Sequence, residues 1–363
     1  MSPRARAAGA ATFILLLVVP VAWTSFFLVA AGVHESLAYD LREAYLPAAE
    51  AVRDGNSPYP ALDDPRLAAE TAYVYPPLLA FALIPFTALS ENAAAVLAAL
   101  AACVALLGTL LLVGVRDWRC YGAALLWAPS LNALHTASSS LLVALGVAVA
   151  WRYRATVWPL SAAVGTAVAL KLVIWPLLAW TLLTRRFLAT GGAVCVAAGI
   201  TLVTWGALGF EDIGRYPELL RKLAELEAEE SYSLVGAFAA GGLEGSAARV
   251  VAGAIAVAMV GGCILFARRD DDLRSFTCAL AAALAFTPIL WQHYLVLLLV
   301  PIAVARPRLS AIWLVPIILW AAPRDDNGSA FQTFLPVLVA AALVAFVLAS
   351  PGPRFRVAAE VVG

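Results

Sequence analysis

Residues 36–59 read SLAYDLREAYLPAAEAVRDGNSPY and follow directly on the first apolar run of the chain. A carboxylate held beside a membrane can take the proton of an attacking hydroxyl, a step that contributes roughly 10²–10⁴-fold to rate. Asp40 stands nearest the exit of the apolar run and is the candidate base, with Glu43 one turn further on as the second candidate. The competing role for Asp40 is structural, because Asp is favoured at helix N-caps. Arg42 could steady an anion from the same stretch, although on a regular helix it lies off the Asp40 face, and Tyr45 adds a phenol. Lys171 sits inside the apolar "ALKLVIWPLL", where a lysine costs about 2.5–3.5 kcal/mol at mid-membrane. That cost argues for an anionic partner, a watered cavity, or a side chain that snorkels to the headgroups. "PILWQHY" groups Gln292 and His293 after Pro288, and "LHTASSS" carries His135. These side chains can bond a polar ligand or serve as satisfied structural groups. Tyr73, Tyr75 and Trp291 could stack on ligand rings or belong to interfacial aromatic belts.

The setting of these residues is a membrane. Hydrophobic residues make up 63% of the 363 and charged ones 13%, with mean hydropathy +0.88. Soluble domains run about 45–50% apolar and about 25% charged, so the chain reads as an all-α polytopic membrane protein. The formal net charge is zero, and nothing marks a nucleic-acid partner. Five scattered cysteines show no metal or disulfide spacing. No metal constellation is indicated: Asp270, Asp271 and Asp272 lie among Arg268, Arg269 and Arg274.

Apolar runs near 13–32, 76–114, 120–134, 137–151, 156–184, 187–208, 247–267, 274–305, 309–322 and 331–350 predict roughly twelve crossings at about 17–25 residues each. The first run follows Arg4 and Arg6 and reads as a retained helix with a cytoplasmic N-terminus. Arg116/Arg119, Arg152/Arg154, Arg185/Arg186, Arg268/Arg269/Arg274, Arg306/Arg308 and Arg354/Arg356 mark the cytoplasmic side. The loops at 34–75 and 209–246, the "HTASSS" turn and Lys171 then reach the outer side. Both loops predict short amphipathic helices. Leu37, Leu41, Ala44, Ala48 and Val52 recur at helical spacing, as do Leu219, Leu220, Leu223 and Leu226. No internal repeat stands out. Residues 1–350 read as one transmembrane domain and 351–363 as a disordered cytoplasmic tail.

Four segments, in order, resemble glycosyltransferase family 87. They are "YDLREAYLPAAEAVRDGNSPY" with "YVYPPLLAFALIPF", then "ALKLVIWPLLAWTLLTRRF", "SYSLVGAF" and "FTPILWQHYLVLLLVP". Where the family often has a Gly-Gln-x-Asn turn, this chain reads "LHTASSSLL". The resemblance implies a GT-C-like bundle. It also implies an inverting transfer of a hexose, mannose foremost and arabinofuranose as the alternative, from a polyprenyl-phosphate donor to a glycolipid or envelope glycan outside the cell membrane. In that reading Asp40 is the base. Lys171 and His293 hold the phosphate or sugar, with Gln292, Arg42, Glu43, Tyr45, Tyr75 and His135 around them. No cofactor is implied, and a divalent cation is not indicated. The rival readings are a transporter or lipid-linked-sugar flippase, and a partner protein that only presents lipid.

Overall fold

A computed structural model describes residues 9–227, 231–243, 245–322 and 330–350, all of them helical or irregular with no strand. The expected tail at 351–363, with Arg354 and Arg356, lies outside the described residues, as do Arg4 and Arg6. Helix α1, Gly9–Val33, is followed by two left-handed residues, Glu35 and Ala38, and then by a π-helical turn, Leu41–Tyr45, leading into α2, Leu46–Arg53. This is the amphipathic segment expected at 40–54. Leu41, Ala44, Ala48 and Val52 are buried, while Glu43 and Glu50 are exposed. Pro47 sits in the first turn of α2, and Gly55 at φ +78° closes it.

The apolar run at 76–114 is split at Ser90. Helix α3, Leu78–Leu83, tightens into a 3₁₀ turn, and the Ser90 hydroxyl then accepts the Ala93 amide at 3.3 Å to start α4, Glu91–Leu112. Helices α5, Trp118–Leu126, and α6, Ala128–Thr136, are separated by an extended Trp127 ahead of Pro129. Ala137 adopts φ +51°, and α7, Ser139–Arg152, leaves at 117° to α6. Helices α8, Val157–Leu170, and α9, Pro176–Leu183, flank an extended Lys171. Then come α10, Phe187–Ala207, α11, Tyr216–Leu226, α12, Leu234–Ala240, α13, Gly245–Ala267, and α14, Asp272–Phe286. A 3₁₀ stretch, Gln292–Leu298, runs into α15, Leu299–Ala305. A second, Ala311–Ala321, precedes α16, Ala330–Ala349.

Five helices among the described residues are long and apolar enough to cross a membrane, or six if the bent α6–α7 pair is one span. Helix length therefore does not deliver the roughly twelve crossings expected from the apolar runs. Prolines and the extended Trp127 and Lys171 cut several runs into elements of 10–17 residues or shorter. Small residues let the long helices approach. A Cβ on Gly165 of α8 would stand 2.6 Å from the Ala193 carbonyl oxygen of α10, and one on Gly122 of α5 would collide with the Leu16 carbonyl of α1.

The two ends of the bundle differ in chemistry. At one end Arg154 and Arg186 converge on Asp272, at 3.0 and 2.7 Å, and the Trp180 indole donates to the same carboxylate at 2.9 Å. There too Asp117 accepts the Leu309 amide at 3.0 Å, and Arg274 donates to the Ser350 carbonyl at 2.9 Å. The acid run at 270–272 is thus a fastening: Asp271 caps α14 and Asp272 gathers two arginines. The other end holds the long loops. The Tyr216 hydroxyl donates to the Val74 carbonyl, and the Ala38 amide donates to the His135 carbonyl.

Candidate functional site

A cavity of about 370 Å³ opens at the loop-bearing end, away from the arginine clusters. Much of its polar lining comes from irregular joints of the chain, and the rest from α6. The π-turn region supplies Tyr39, Asp40 and Tyr45, and the 67–75 loop supplies Glu70 and Tyr75. Asn132 and His135 come from α6, and Glu227 and Tyr232 from the ends of the second loop. Trp291, Gln292 and His293 come from the segment after α14.

Asp40 caps nothing with its side chain. Its Oδ2 accepts the Tyr45 hydroxyl at 3.2 Å. Burial, reinforced by the Asp40 charge, holds the Tyr45 phenol well above its ordinary pKa, so it remains a donor. The π turn brings this pair together. The Tyr45 ring then meets Tyr75 edge-on at 5.4 Å, which joins the first turn to the 73–77 segment. That segment is itself hung on phenols: Tyr59 donates to the Tyr75 carbonyl and Tyr73 to the Pro76 carbonyl.

His293 is buried, and its Nδ1 lies 3.1 Å from Asn132 Oδ1. With the amide oxygen facing it, Nδ1 is the donor of this pair. The Gln292 amide donates to the Leu319 carbonyl at 3.3 Å. This wall is registered from the second loop. The Ser231 hydroxyl accepts the Leu290 amide at 2.8 Å, and the Tyr232 amide donates to the Leu290 carbonyl at 2.9 Å. "SYS" and "PILWQH", distant in sequence, thus form one structure. His135 stacks edge-on to Phe27 at 5.3 Å and faces Ser36 at 3.5 Å.

The cavity therefore gathers Asp40, Tyr45, Tyr75, His135, Gln292 and His293. It does not gather the other three candidates. Lys171 is buried behind the tyrosines: its Nζ donates to Ser140 at 2.9 Å and stands 3.4 Å from the Tyr294 ring centre and 5.4 Å from that of Tyr75. Burial works against a charge on Lys171, while the Asp40 carboxylate across that aromatic layer, the two rings and the one hydroxyl work for it. Arg42 turns away to Glu91 and Asn92 at the start of α4, so it anchors the loop. Glu43 is exposed on the far side of the turn. The structure adds Glu70, Glu227 and Asn132, which sequence reasoning missed. Two of them carried a signal. Glu227 lies four residues past Leu223 on the buried stripe of α11, and Asn132 one turn before His135. No three His, Cys, Asp or Glu side chains among the described residues stand together as a metal site.

Beside this polar cavity runs an apolar groove of about 290 Å³ between α13, α14 and α16. Its walls include Ile255, Met259, Leu284, Val337 and Val344, and Tyr232 lines both it and the polar cavity.

The sequence model of glycosyltransferase family 87 matches residues 73–291, more than half of the chain. The matched stretch holds Tyr75, His135 and Lys171; Asp40 precedes it, and Gln292 and His293 follow it directly. No curated protein and no solved structure matches the chain.

Proposed function

Because the chain belongs to glycosyltransferase family 87, we propose that it transfers a hexose, mannose in particular, from a polyprenyl-phosphate donor to a glycolipid or envelope glycan outside the cell membrane. The observation that carries this reading is the meeting of a carboxylate-bearing polar cavity with an apolar groove at Tyr232. A lipid-linked sugar needs both at once: a polar seat for the sugar and a path for the chain. By the positive-inside rule the arginine end faces the cytoplasm, which puts the cavity outward. Among the described residues, five shorter apolar helices of 10–17 residues stand beside the long ones, and reading them as further passes supports a polytopic bundle of more crossings than helix length alone gives.

In this reading the reaction is one inverting displacement. The acceptor hydroxyl oxygen bonds to the anomeric carbon as the bond from that carbon to the phosphate oxygen breaks. Polyprenyl phosphate departs with the electron pair, and the hydroxyl proton passes to Asp40. A single base suffices, unlike the two carboxylates of glycoside hydrolysis. Tyr45 orients that base. His293 and Gln292 hold the phosphate, and Lys171 adds a positive field from behind Tyr75 and Tyr294 without touching it. A transporter or flippase would carry its carboxylate at the bilayer midplane. Asp40 lies beyond the end of α1, which favours the transferase reading.

The donor is tested with membranes containing the protein and a glycolipid acceptor, given radiolabelled polyprenyl-phosphate mannose or radiolabelled nucleotide mannose. Label is expected to reach the acceptor from the lipid phosphate, with inverted anomeric configuration in the product. Transfer from the nucleotide sugar while polyprenyl phosphate synthesis is blocked, or retained configuration, contradicts the proposal.

A further inference from the structure

Two of the cavity's carboxylates have no part in the displacement described above. Glu227 is 3% exposed, and Glu70 holds a left-handed φ of +57°, uncommon for a residue with a side chain. They arrive from different outer loops, and the same packing delivers both. Leu219 and Leu223 of α11 bury against Leu67, three residues before Glu70. The Tyr216 hydroxyl ties the start of α11 to the Val74 carbonyl at 3.0 Å. At the other end of α11 the Glu227 amide donates to the Leu223 carbonyl at 2.9 Å, and its carbonyl accepts the Ser231 amide at 3.0 Å. The amphipathic helix and the 67–70 turn form one cap with its charged face outward and two acids inward.

The chemistry of that cap is selective. Carboxylates accept hydrogen bonds from sugar hydroxyls and repel a phosphate. The phosphate of the donor belongs on the Gln292–His293 wall, and the cap is left for a neutral polyol. Trp291, also on the cavity wall, offers a ring face for such a sugar. We infer that Glu70 and Glu227 are specificity residues that bind hydroxyls of the acceptor sugar and so present its nucleophilic hydroxyl to Asp40. This rests on the cavity being the transfer site, as proposed above.

The test uses the full chain in lipid nanodiscs with methyl α-mannoside as probe, read by saturation-transfer NMR. The variants are Glu227→Gln, Glu70→Gln and Asp40→Asn, each with a thermal melt. Each Gln variant should bind the probe about 10-fold more weakly than the wild type, the loss of one charge-assisted hydrogen bond. In transfer assays with polyprenyl-phosphate mannose, each Gln variant should raise the KM for an alkyl mannoside acceptor about 10-fold, by the same loss. Donor KM and the acid limb of the pH profile should stay unchanged. Unaltered acceptor affinity in both Gln variants overturns the assignment, as does no probe binding by the wild type. Loss of the acid limb in Glu227→Gln also overturns it, since Glu227 would then be the base. Should one Gln variant fail to fold, the other decides. Probe binding that weakens in the Gln variants while no transfer occurs sinks the transferase reading and leaves the sugar site standing. Asp40-dependent transfer with unchanged Gln variants does the reverse.

Discussion

Asp40 and Tyr45 are five residues apart, and their contact depends on a π-helical turn that bends the register of an ordinary helix. The phenol gives the proposed base a hydrogen bond that helps to fix its orientation. Tyr45→Phe removes that bond together with the phenol's hydrogen bonds to Tyr75 and Ser139, while the ring keeps its packing against Tyr73 and Tyr75. The expected result is a kcat about 3- to 10-fold lower, the worth of the bond to the carboxylate, in a protein that still folds. An unchanged kcat would show that the phenol does not position the base. Six of the nine residues marked from sequence meet in the cavity, because each is a polar group at an interruption of an apolar run. Lys171 was legible as a buried charge but not as one covered by Tyr75 and Tyr294, since those rings come from remote segments. The anchoring of Arg42 was not legible, because its partners, Glu91 and Asn92, lie 49 and 50 residues on. Glu70 left no trace in the sequence, its place in the cavity being set by a backbone turn that no periodicity reveals.

The elements follow the apolar pattern where runs are uniform and depart from it at prolines and lone polar residues. The amphipathic α2 and α11 were legible from stripes of Leu, Ala and Val. The 117° bend between α6 and α7 was not, because it turns on Ala137 taking a conformation usually reserved for glycine. The loops at the arginine end are fastened by carboxylates. Asp117 caps α5, pairs with Arg119 at 2.8 Å and accepts the Leu309 amide, which clips the 306–310 loop to the start of α5. The Arg119 guanidinium, opposed by partial burial and aided by the Leu309 amide, holds the Asp117 carboxyl down to about 2. A depressed carboxylate stabilises the fold above its unfolded pKa, about 3.9, and that contribution is lost as pH falls toward 2. Thermal melts of the detergent-solubilised protein should show Asp117→Asn less stable than the wild type at pH 5–7. The gap should close between about pH 4 and pH 2, as linkage requires. A gap that widens on acidification would contradict the clip.

At the scale of the whole molecule, the account depends on polarity between two ends. Arginines and their aspartates close one end, while the other carries the cavity, the capping helix and the mouth of an apolar groove. Which loops share an end was legible from the spacing of the arginines. The partition into long and short helices was not, because apolar runs alone do not show where a chain breaks within the membrane. The same two-ended arrangement sets the most direct test of the central claim, that Asp40 is the base of a transfer made on the outer face. Sealed right-side-out vesicles would carry radiolabelled polyprenyl-phosphate mannose and receive a membrane-impermeant acceptor glycoside outside, with wild type compared against Asp40→Asn. The account predicts rapid labelling of the external acceptor by the wild type and a fall of about 10²–10⁴-fold in the variant at equal protein level. Equal labelling by both, or labelling only when the acceptor is sealed inside, would contradict it.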